Sequence, residues 1–154
     1  MRRSDREITD IKEIERILKE AFVCHLGLVD GDRPYVVPMN YAYSDGCIYL
    51  HCASAGRKLD LIKVNNNVCF QMEITSSKIA KNTDQPCDWG TIYKSVIGTG
   101  YATLLTEGEE KKKALKAIIA PFCNKDITFN EGDFAATTII RIDIEEMTGK
   151  KANC

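Results

Sequence analysis

The chain changes its periodicity within Tyr49-Leu-His-Cys-Ala-Ser-Ala-Gly-Arg-Lys-Leu-Asp-Leu-Ile62, and the change falls on a group of small residues. Up to Ala53 apolar and other residues alternate, which is typical of a strand. After Gly56 the apolar residues recur one helical turn apart. This segment therefore predicts a strand, a tight turn, and a helix that begins with two cations, Arg57 and Lys58.

The predicted turn and helix start suit the binding of a phosphate group. Backbone N–H groups at the start of a helix are free, the positive end of the helix dipole lies there, and Arg57 and Lys58 add full charges. A strand-to-helix connection with solvated basic side chains is an equally good interpretation. His51, just before the turn, also has two interpretations. It could be catalytic, but a single strand histidine is more often a packed or surface residue.

Length and composition limit the possible functions. The 154 residues suffice for one domain, predicted over residues 1–154 with a polar tail at 148–154, and the net charge of −1 provides no basic field for nucleic acid. No apolar run is long enough to span a membrane, so we expect a cytoplasmic protein. The seven cysteines include no C-x-x-C pair and only two histidines accompany them, so we predict no metal site.

Alternating and helical patterns predict the order of elements. Amphipathic helices are predicted after Asp10, at Arg57–Val64 and after Thr106, and the strands are predicted at residues 22–29, 35–43, 47–52, 68–74, 93–105 and 138–144. This mainly β (α+β) order favours a closed antiparallel barrel with flanking helices. Residues 75–92 show no periodicity and are predicted to be a long excursion.

Pro38 interrupts a strong β segment. It has no amide hydrogen to donate, so its strand should lie at an edge or break there. A break would expose main-chain groups of Val37, Met39 and Asn40, which could bind a flat polar ligand. An edge-protecting proline is the simpler interpretation.

Two further patterns make specific predictions. Gly98 and Gly100 share a narrow lane with Val96 and Ala102, which indicates that another group approaches the strand closely there. In the helix after Thr106, we expect Leu115, Ile118, Ile119 and Phe122 to form the buried stripe, with residues 111–113, all lysine, in water.

Five motifs occur in an order that resembles one known family. They are Pro34-Tyr-Val-Val-Pro-Met-Asn40, Asp45-Gly-x-Ile-Tyr-Leu-His51, Gly56-Arg-Lys58, Asn66-Asn-Val-Cys-Phe70 and Tyr93-Lys-Ser-Val-Ile-Gly-Thr-Gly100. Together they resemble the pyridoxamine 5′-phosphate oxidase-like split β-barrel superfamily, and within it the flavin-binding branch related to nitroimidazole-resistance (Nim) proteins.

The resemblance implies a homodimer of six-stranded antiparallel split β-barrels that holds FMN at the subunit interface. Main chain at residues 37–40 would meet the isoalloxazine ring, residues 51–53 would run along the cofactor, Arg57 and Lys58 would hold its phosphate, and Tyr93 and Ser95 would approach from the partner. The predicted cofactor-binding residues are Val37, Pro38, Met39, Asn40, His51, Cys52, Ala53, Ser54, Gly56, Arg57, Lys58, Tyr93 and Ser95.

The implied function is that of an FMN-dependent oxidoreductase. It would pass electrons from a reduced nicotinamide, or another donor, to a small oxidised substrate such as a nitroaromatic, with His51 as the candidate catalytic residue near the ring. The alternative is a non-catalytic flavin- or haem-binding protein of the same barrel, and a deazaflavin-using relative is a third possibility. The chain has no counterpart of the tryptophan- and arginine-containing C-terminal segment of true pyridoxamine-phosphate oxidases, so vitamin B6 oxidation is not expected.

Overall fold

A computed structural model describes residues 3–79, 85, 89–123 and 128–152. Most elements follow the predicted patterns, and the helix at Arg57–Val64 has the predicted bounds. After a short 3₁₀ turn at Ser4–Arg6, the elements in chain order are β1 (Glu7–Ile8), α1 (Ile11–Glu20), β2 (Cys24–Asp30), β3 (Arg33–Met39), β4 (Tyr41–Ser44), β5 (Cys47–Ala53), α2 (Arg57–Val64), β6 (Asn67–Ile79), β7 (Gly90–Leu105), α3 (Gly108–Ile119), α4 (Glu131–Ala136) and β8 (Thr137–Ala152).

One antiparallel sheet organises the described residues. Its strand order is β3-β2-β6-β7-β8-β5-β4, and β1 pairs with β8 off this path. The fold is therefore mainly β with few helices, as predicted. The sheet has eight strands and not six, because Glu7–Ile8 pairs with β8 and because the segment predicted at 35–43 breaks at Asn40. Within the described ranges no strand pair closes the path into a barrel.

Pro38 lies in an edge strand. Strand β3 is at one end of the path and, in the part of the chain that the structure describes, pairs with β2 alone. The predicted edge position is therefore confirmed, and β4 forms the other end of the sheet. Asn40 joins these two terminal strands, so the two edges of the sheet meet at one residue.

The main core lies on the sheet face that α1 covers. The alternation predicted for β2, β5 and β6 is confirmed, since the inward residues are buried: Cys24, Leu26, Leu28, Ile48, Leu50, Cys52, Val68, Phe70 and Met72. A smaller core on another side packs α3 against Ile139 of β8. Burial of an aliphatic or aromatic side chain of this kind contributes about 1.5–3 kcal/mol.

Other groups pack closely against Gly98 and Gly100 of β7. A Cβ atom built on Gly98 would lie 2.3 Å from Cζ of Phe70, and one on Gly100 would lie 2.3 Å from the carbonyl oxygen of Asp143. The absent side chains thus make room for the Phe70 ring and for the backbone of β8. The prediction of a close approach at these glycines is confirmed.

Lys111 contradicts the prediction of a solvated lysine run. Its side chain is fully buried, and its Nζ donates to the carbonyl oxygens of Thr106 at 2.8 Å and Phe134 at 2.5 Å. The ammonium also lies 4.0 Å from the centre of the Phe134 ring. The reason is the spacing, because Lys111 stands three, four and seven residues before the buried residues Ala114, Leu115 and Ile118. Burial lowers the pKa of Lys111.

Phe122 contradicts the predicted buried stripe. Helix α3 ends at Ile119, so Phe122 follows the helix and is 68% exposed. The start of the helix also differs from the prediction, since Glu107 and not Thr106 occupies the N-cap position, and its side chain makes no capping hydrogen bond.

Two predicted irregular segments contain strand. The polar tail was predicted to begin at residue 148, but β8 continues to Ala152, where it pairs with Tyr93 of β7. A register shift between Thr99 and Gly100 lets the long strands stay paired. The excursion predicted at 75–92 is shorter, because β6 runs to Ile79 and β7 begins at Gly90. Residues 80–84 and 86–88 of that excursion lie outside the described residues.

Candidate functional site

Seven of the predicted cofactor-binding residues line one open cleft of about 390 Å³. The cleft lies where the end of β3, the end of β5 and the start of α2 converge. The pairing of Tyr41 with Leu50 in the β4–β5 hairpin brings Asn40 beside His51. The lining residues are Val23, Pro38, Met39, Asn40, His51, Cys52, Ala53 and Lys58.

The start of α2 contributes a cation and free backbone N–H groups. The first helical hydrogen bond runs from the Leu59 N–H to the Gly56 carbonyl at 2.9 Å, so the N–H groups of Arg57 and Lys58 precede the helical ladder. Gly56 has a φ of 135°, a conformation that a side chain would strain. Lys58 lines the cleft and, within the described residues, makes no hydrogen bond or ion pair. This arrangement can bind an anion.

The Arg57 guanidinium binds Asp30 and does not line the cleft. It pairs with the Asp30 carboxylate, with Nε 3.1 Å from Oδ2, and it stacks over the Tyr35 ring at 4.6 Å. Arg57 is not part of the cleft lining. Of the two cations predicted to hold a phosphate, Lys58 is therefore the one that the structure brings to the cleft, and a role for Arg57 stays a prediction.

His51 and Cys52 offer different chemistry at the same strand end. The His51 side chain is exposed and, in the described part of the chain, makes no hydrogen bond. Cys52 is only 9% exposed, and burial raises the pKa of its thiol, an effect that the nearby Lys58 ammonium opposes. The thiol is thus held as a small apolar group in the cleft wall.

His25 lies beside the cleft with an unpaired nitrogen. In the β2–β3 ladder it stands directly opposite Pro38. Its Nδ1 atom is buried and has no hydrogen-bond partner among the described residues. A buried polar atom without a partner costs about 1–3 kcal/mol, so a group supplied from outside the chain would be stabilising here.

The remaining predicted residues lie outside the cleft. Val37 packs against the main core, and the Ser54 N–H donates to the Ala136 carbonyl at 3.0 Å. Tyr93 and Ser95 lie in the first part of β7, where they pair with Ala152 and Lys150 of β8. They do not reach the cleft of their own chain.

Sequence reasoning missed two residues at this site. Val23 lines the cleft just before β2 begins, and His25 lies two residues further on, within β2. No motif marks either residue. The only available signal was the alternation of residues 22–29, which places both on the face opposite the buried Cys24 and Leu26.

Neither a metal-binding cluster nor a membrane-spanning helix occurs among the described residues. They contain no group of three or more histidine, cysteine, aspartate or glutamate side chains that could hold a metal ion. Among the described helices, none combines the length and the apolar character needed to cross a membrane.

Comparison with known families defines the class of protein. A family model described as pyridoxamine 5′-phosphate oxidase matches residues 10–151, which include every residue of the cleft. The chain therefore belongs to the pyridoxamine 5′-phosphate oxidase family. No curated protein matches the chain.

Several solved structures are similar to this chain. A protein from Bacteroides thetaiotaomicron, provisionally described as a 5-nitroimidazole antibiotic resistance protein, is 28% identical, with a TM-score of 0.82 over 94% of this chain and 86% of that chain. A FAD-binding protein from Mesorhizobium loti is 22% identical, with a TM-score of 0.71 over 96% and 98% of the two chains. A FAD- and haem-binding protein from Mycobacterium smegmatis is 11% identical, with a TM-score of 0.83 over 97% and 74%. The last two similarities show the fold alone.

Proposed function

We propose that the protein is an FMN-dependent oxidoreductase that reduces small oxidised substrates such as nitroaromatics. The observation that carries the proposal is the cleft itself, which joins an unpaired Lys58 at a helix start to the strand end at His51 and the edge at Pro38. The similarity to a protein described as a 5-nitroimidazole antibiotic resistance protein supports this class of substrate.

The residues of the cleft fit a flavin phosphate and ring. Lys58 and the N–H groups before the helical ladder would hold the phosphate. Main chain along the free edge of β3 and the Asn40 amide, which makes no hydrogen bond within the described residues, would meet the polar edge of the ring. The unpaired Nδ1 of His25 is a further group that a bound molecule could satisfy.

When bound, FMN would supply the redox chemistry, taking two electrons from a donor and giving two to the oxidised substrate. The chain's own groups would do the rest. His51, exposed in the cleft, would hold or deliver a proton near the ring, and Cys52 and Ala53 would form an apolar wall. Lys58 would anchor and orient the cofactor.

We further propose that two chains form a homodimer across the outer face of β2, β3, β6 and β7. Val36, Cys69, Ile97 and Tyr101 are exposed on this face, with Gly27 between them. Few soluble monomers expose a contiguous apolar face of this kind. Pro38 shares this face, so a second copy seated on it would cover the cleft from one side. Alternation along β7 places Tyr93 and Ser95 on the same side of the strand. Ser95 is only 8% exposed within its own chain, so Tyr93 is the residue that could approach the partner's cleft, and a contact of Ser95 stays a prediction.

Flavin titration of Lys58→Ala tests the proposal. A charge-assisted contact contributes about 1.5–3 kcal/mol, so the dissociation constant for FMN should rise about tenfold or more. Lys63→Ala is the matched control, because Lys63 lies on the same helix but pairs with Asp60 at 3.5 Å outside the cleft. Equal FMN affinity of the Lys58 and Lys63 variants would contradict the phosphate assignment.

Activity and assembly are tested on the same FMN-loaded protein. Bleaching of the flavin spectrum by NADH without oxygen, followed by recovery on addition of a nitroaromatic, is expected of a reductase. If analytical ultracentrifugation gives the molar mass of a single chain, the proposed homodimer is contradicted.

A non-catalytic flavin- or haem-binding protein is the second candidate, favoured by the shared fold of the FAD- and haem-binding neighbour. A Soret band in the purified protein, or a bound flavin that no donor reduces, would support that candidate and overturn the reductase.

A further inference from the structure

A second pocket, of about 320 Å³, opens where the end of α1, strand β4 and the end of α3 meet. Small side chains from three separate segments make the room for it. Ala21 follows α1, Ala42 is in β4, and Ala117 and Ala120 lie at the end of α3. The cavity is therefore built into the fold by residues that are distant in sequence.

Aromatic side chains form the walls of this pocket. Phe22 and Phe122 stand at its rim and are 76% and 68% exposed. The hydroxyl of Tyr41 donates to the Leu18 carbonyl at 2.7 Å, and that of Tyr43 donates to Glu15 at 3.2 Å. Because both hydroxyls are already engaged by α1, these tyrosines offer mainly their rings to the pocket.

The polar groups of the pocket indicate the charge of its occupant. Lys19 and Glu20 contribute one positive and one negative charge, so the pocket favours neither an anionic nor a cationic occupant. Asn40 also lines the pocket, and its amide makes no hydrogen bond within the described residues. This residue lines the cleft as well, so the two cavities adjoin at one side chain.

We propose that this pocket binds an uncharged planar aromatic molecule, with its ring between the exposed phenylalanines and a polar substituent at Asn40. Aromatic walls suit a flat ring, balanced charges favour a neutral molecule, and the single free amide fixes its direction. The further role of this pocket, to hold an aromatic electron acceptor beside the cofactor, rests on the proposed function.

The test uses 4-fluoronitrobenzene, an uncharged planar probe, titrated into the purified full chain and followed by fluorine NMR. Ala120→Phe fills the pocket at an exposed position and should weaken binding at least tenfold. Ala135→Phe introduces the same side chain at an exposed position of α4, outside the pocket, and should leave binding unchanged. Thermal melting checks that each variant folds.

Phe122→Ala is a second variant that removes one wall and, being at an exposed position, leaves the core intact. It should weaken probe binding several-fold. Equal binding by the unsubstituted chain and by both pocket variants, or no binding at all, would overturn the pocket assignment.

FMN titration of the same samples separates this inference from the proposed function. A chain that binds FMN but not the probe keeps the function and refutes the pocket. A chain that binds the probe in the pocket but not FMN keeps the pocket and refutes the function.

Discussion

Replacing Gly98 by alanine should destabilise the protein strongly. The new Cβ would lie 2.3 Å from Cζ of Phe70 and 2.5 Å from the Glu146 carbonyl oxygen, whereas ordinary contacts are 3.4–4 Å. Neither neighbour can retreat easily, because the Phe70 ring is fully buried and Glu146 belongs to the ladder between β7 and β8. Overpacking of this kind costs about 1–3 kcal/mol, and the double clash places Gly98→Ala near the upper value.

Urea and thermal unfolding measure the effect. For a chain of this size a loss of 1 kcal/mol lowers the melting temperature by about 2–4 °C, so we expect a fall of roughly 6–12 °C. Gly27→Ala is the matched control, since its Cβ would meet the Cys69 carbonyl oxygen at 3.4 Å, an ordinary contact. Its free energy of unfolding should change by less than about 1 kcal/mol.

A double variant identifies the Phe70 ring as one cause. Phe70→Leu removes the ring atoms that the new Cβ would strike, so Gly98→Ala should cost less in that background than in the natural sequence. The coupling energy should be at least about 0.5 kcal/mol. Equal melting of the Gly98 and Gly27 variants, or strict additivity with Phe70→Leu, would refute the packing argument.

Two further predictions concern charged groups. Lys111→Met keeps the buried stem but leaves two carbonyls without their donor, so urea unfolding should show a loss of about 2–3 kcal/mol, whereas Lys112→Met at an exposed position should change little. Glu13 accepts a hydrogen bond from Lys94 at 2.7 Å, which lowers the pKa of Glu13 below its ordinary value of 4.5. The folded state therefore binds that proton less readily than the unfolded state, and the resulting stability is present above pH 4.5 and is lost as pH falls through the folded pKa. Glu13→Gln should be less stable than the unsubstituted chain at pH 7 by up to about 1 kcal/mol, and the difference should shrink in unfolding measured at pH 3.

The order of elements was predictable because periodicity reports burial directly. Strands β2, β5 and β6 alternate cleanly, and each buries the predicted face. The prediction of burial was wrong where the position of a residue in its helix and its charge indicated opposite environments. Lys111 occupies a stripe position of α3, but its charge suggested solvent, and nothing local showed that Thr106 and Phe134 would offer carbonyl oxygens to it. Strand pairing at residues 146–152 was likewise set by a distant partner, β7.

The candidate site was predictable only where a motif marks it. Pro38 and Lys58 stand in recognisable local patterns, an interrupted strand and a helix start, and both line the cleft. Val23 lines the cleft from the position before β2, and His25 lies beside the cleft through the register of β2 against β3, so both positions depend on the whole sheet. The salt bridge of Arg57 with Asp30 also depends on contacts between distant segments, so the sequence could not tell the two neighbouring cations apart.

The cleft lies where backbone N–H and C=O groups have no hydrogen-bond partner within the sheet or the helix that the structure describes. Inside the sheet every strand has two neighbours, and its N–H and C=O groups are used in ladders. At Asn40 the chain passes from one edge strand to the other, and at Gly56 it passes from strand to helix, so each place leaves polar groups without internal partners. The β4–β5 hairpin brings these two places together, because it sets Asn40 beside His51, whose strand ends just before the helix start. A polar ligand can therefore bind there without breaking a hydrogen bond of the fold.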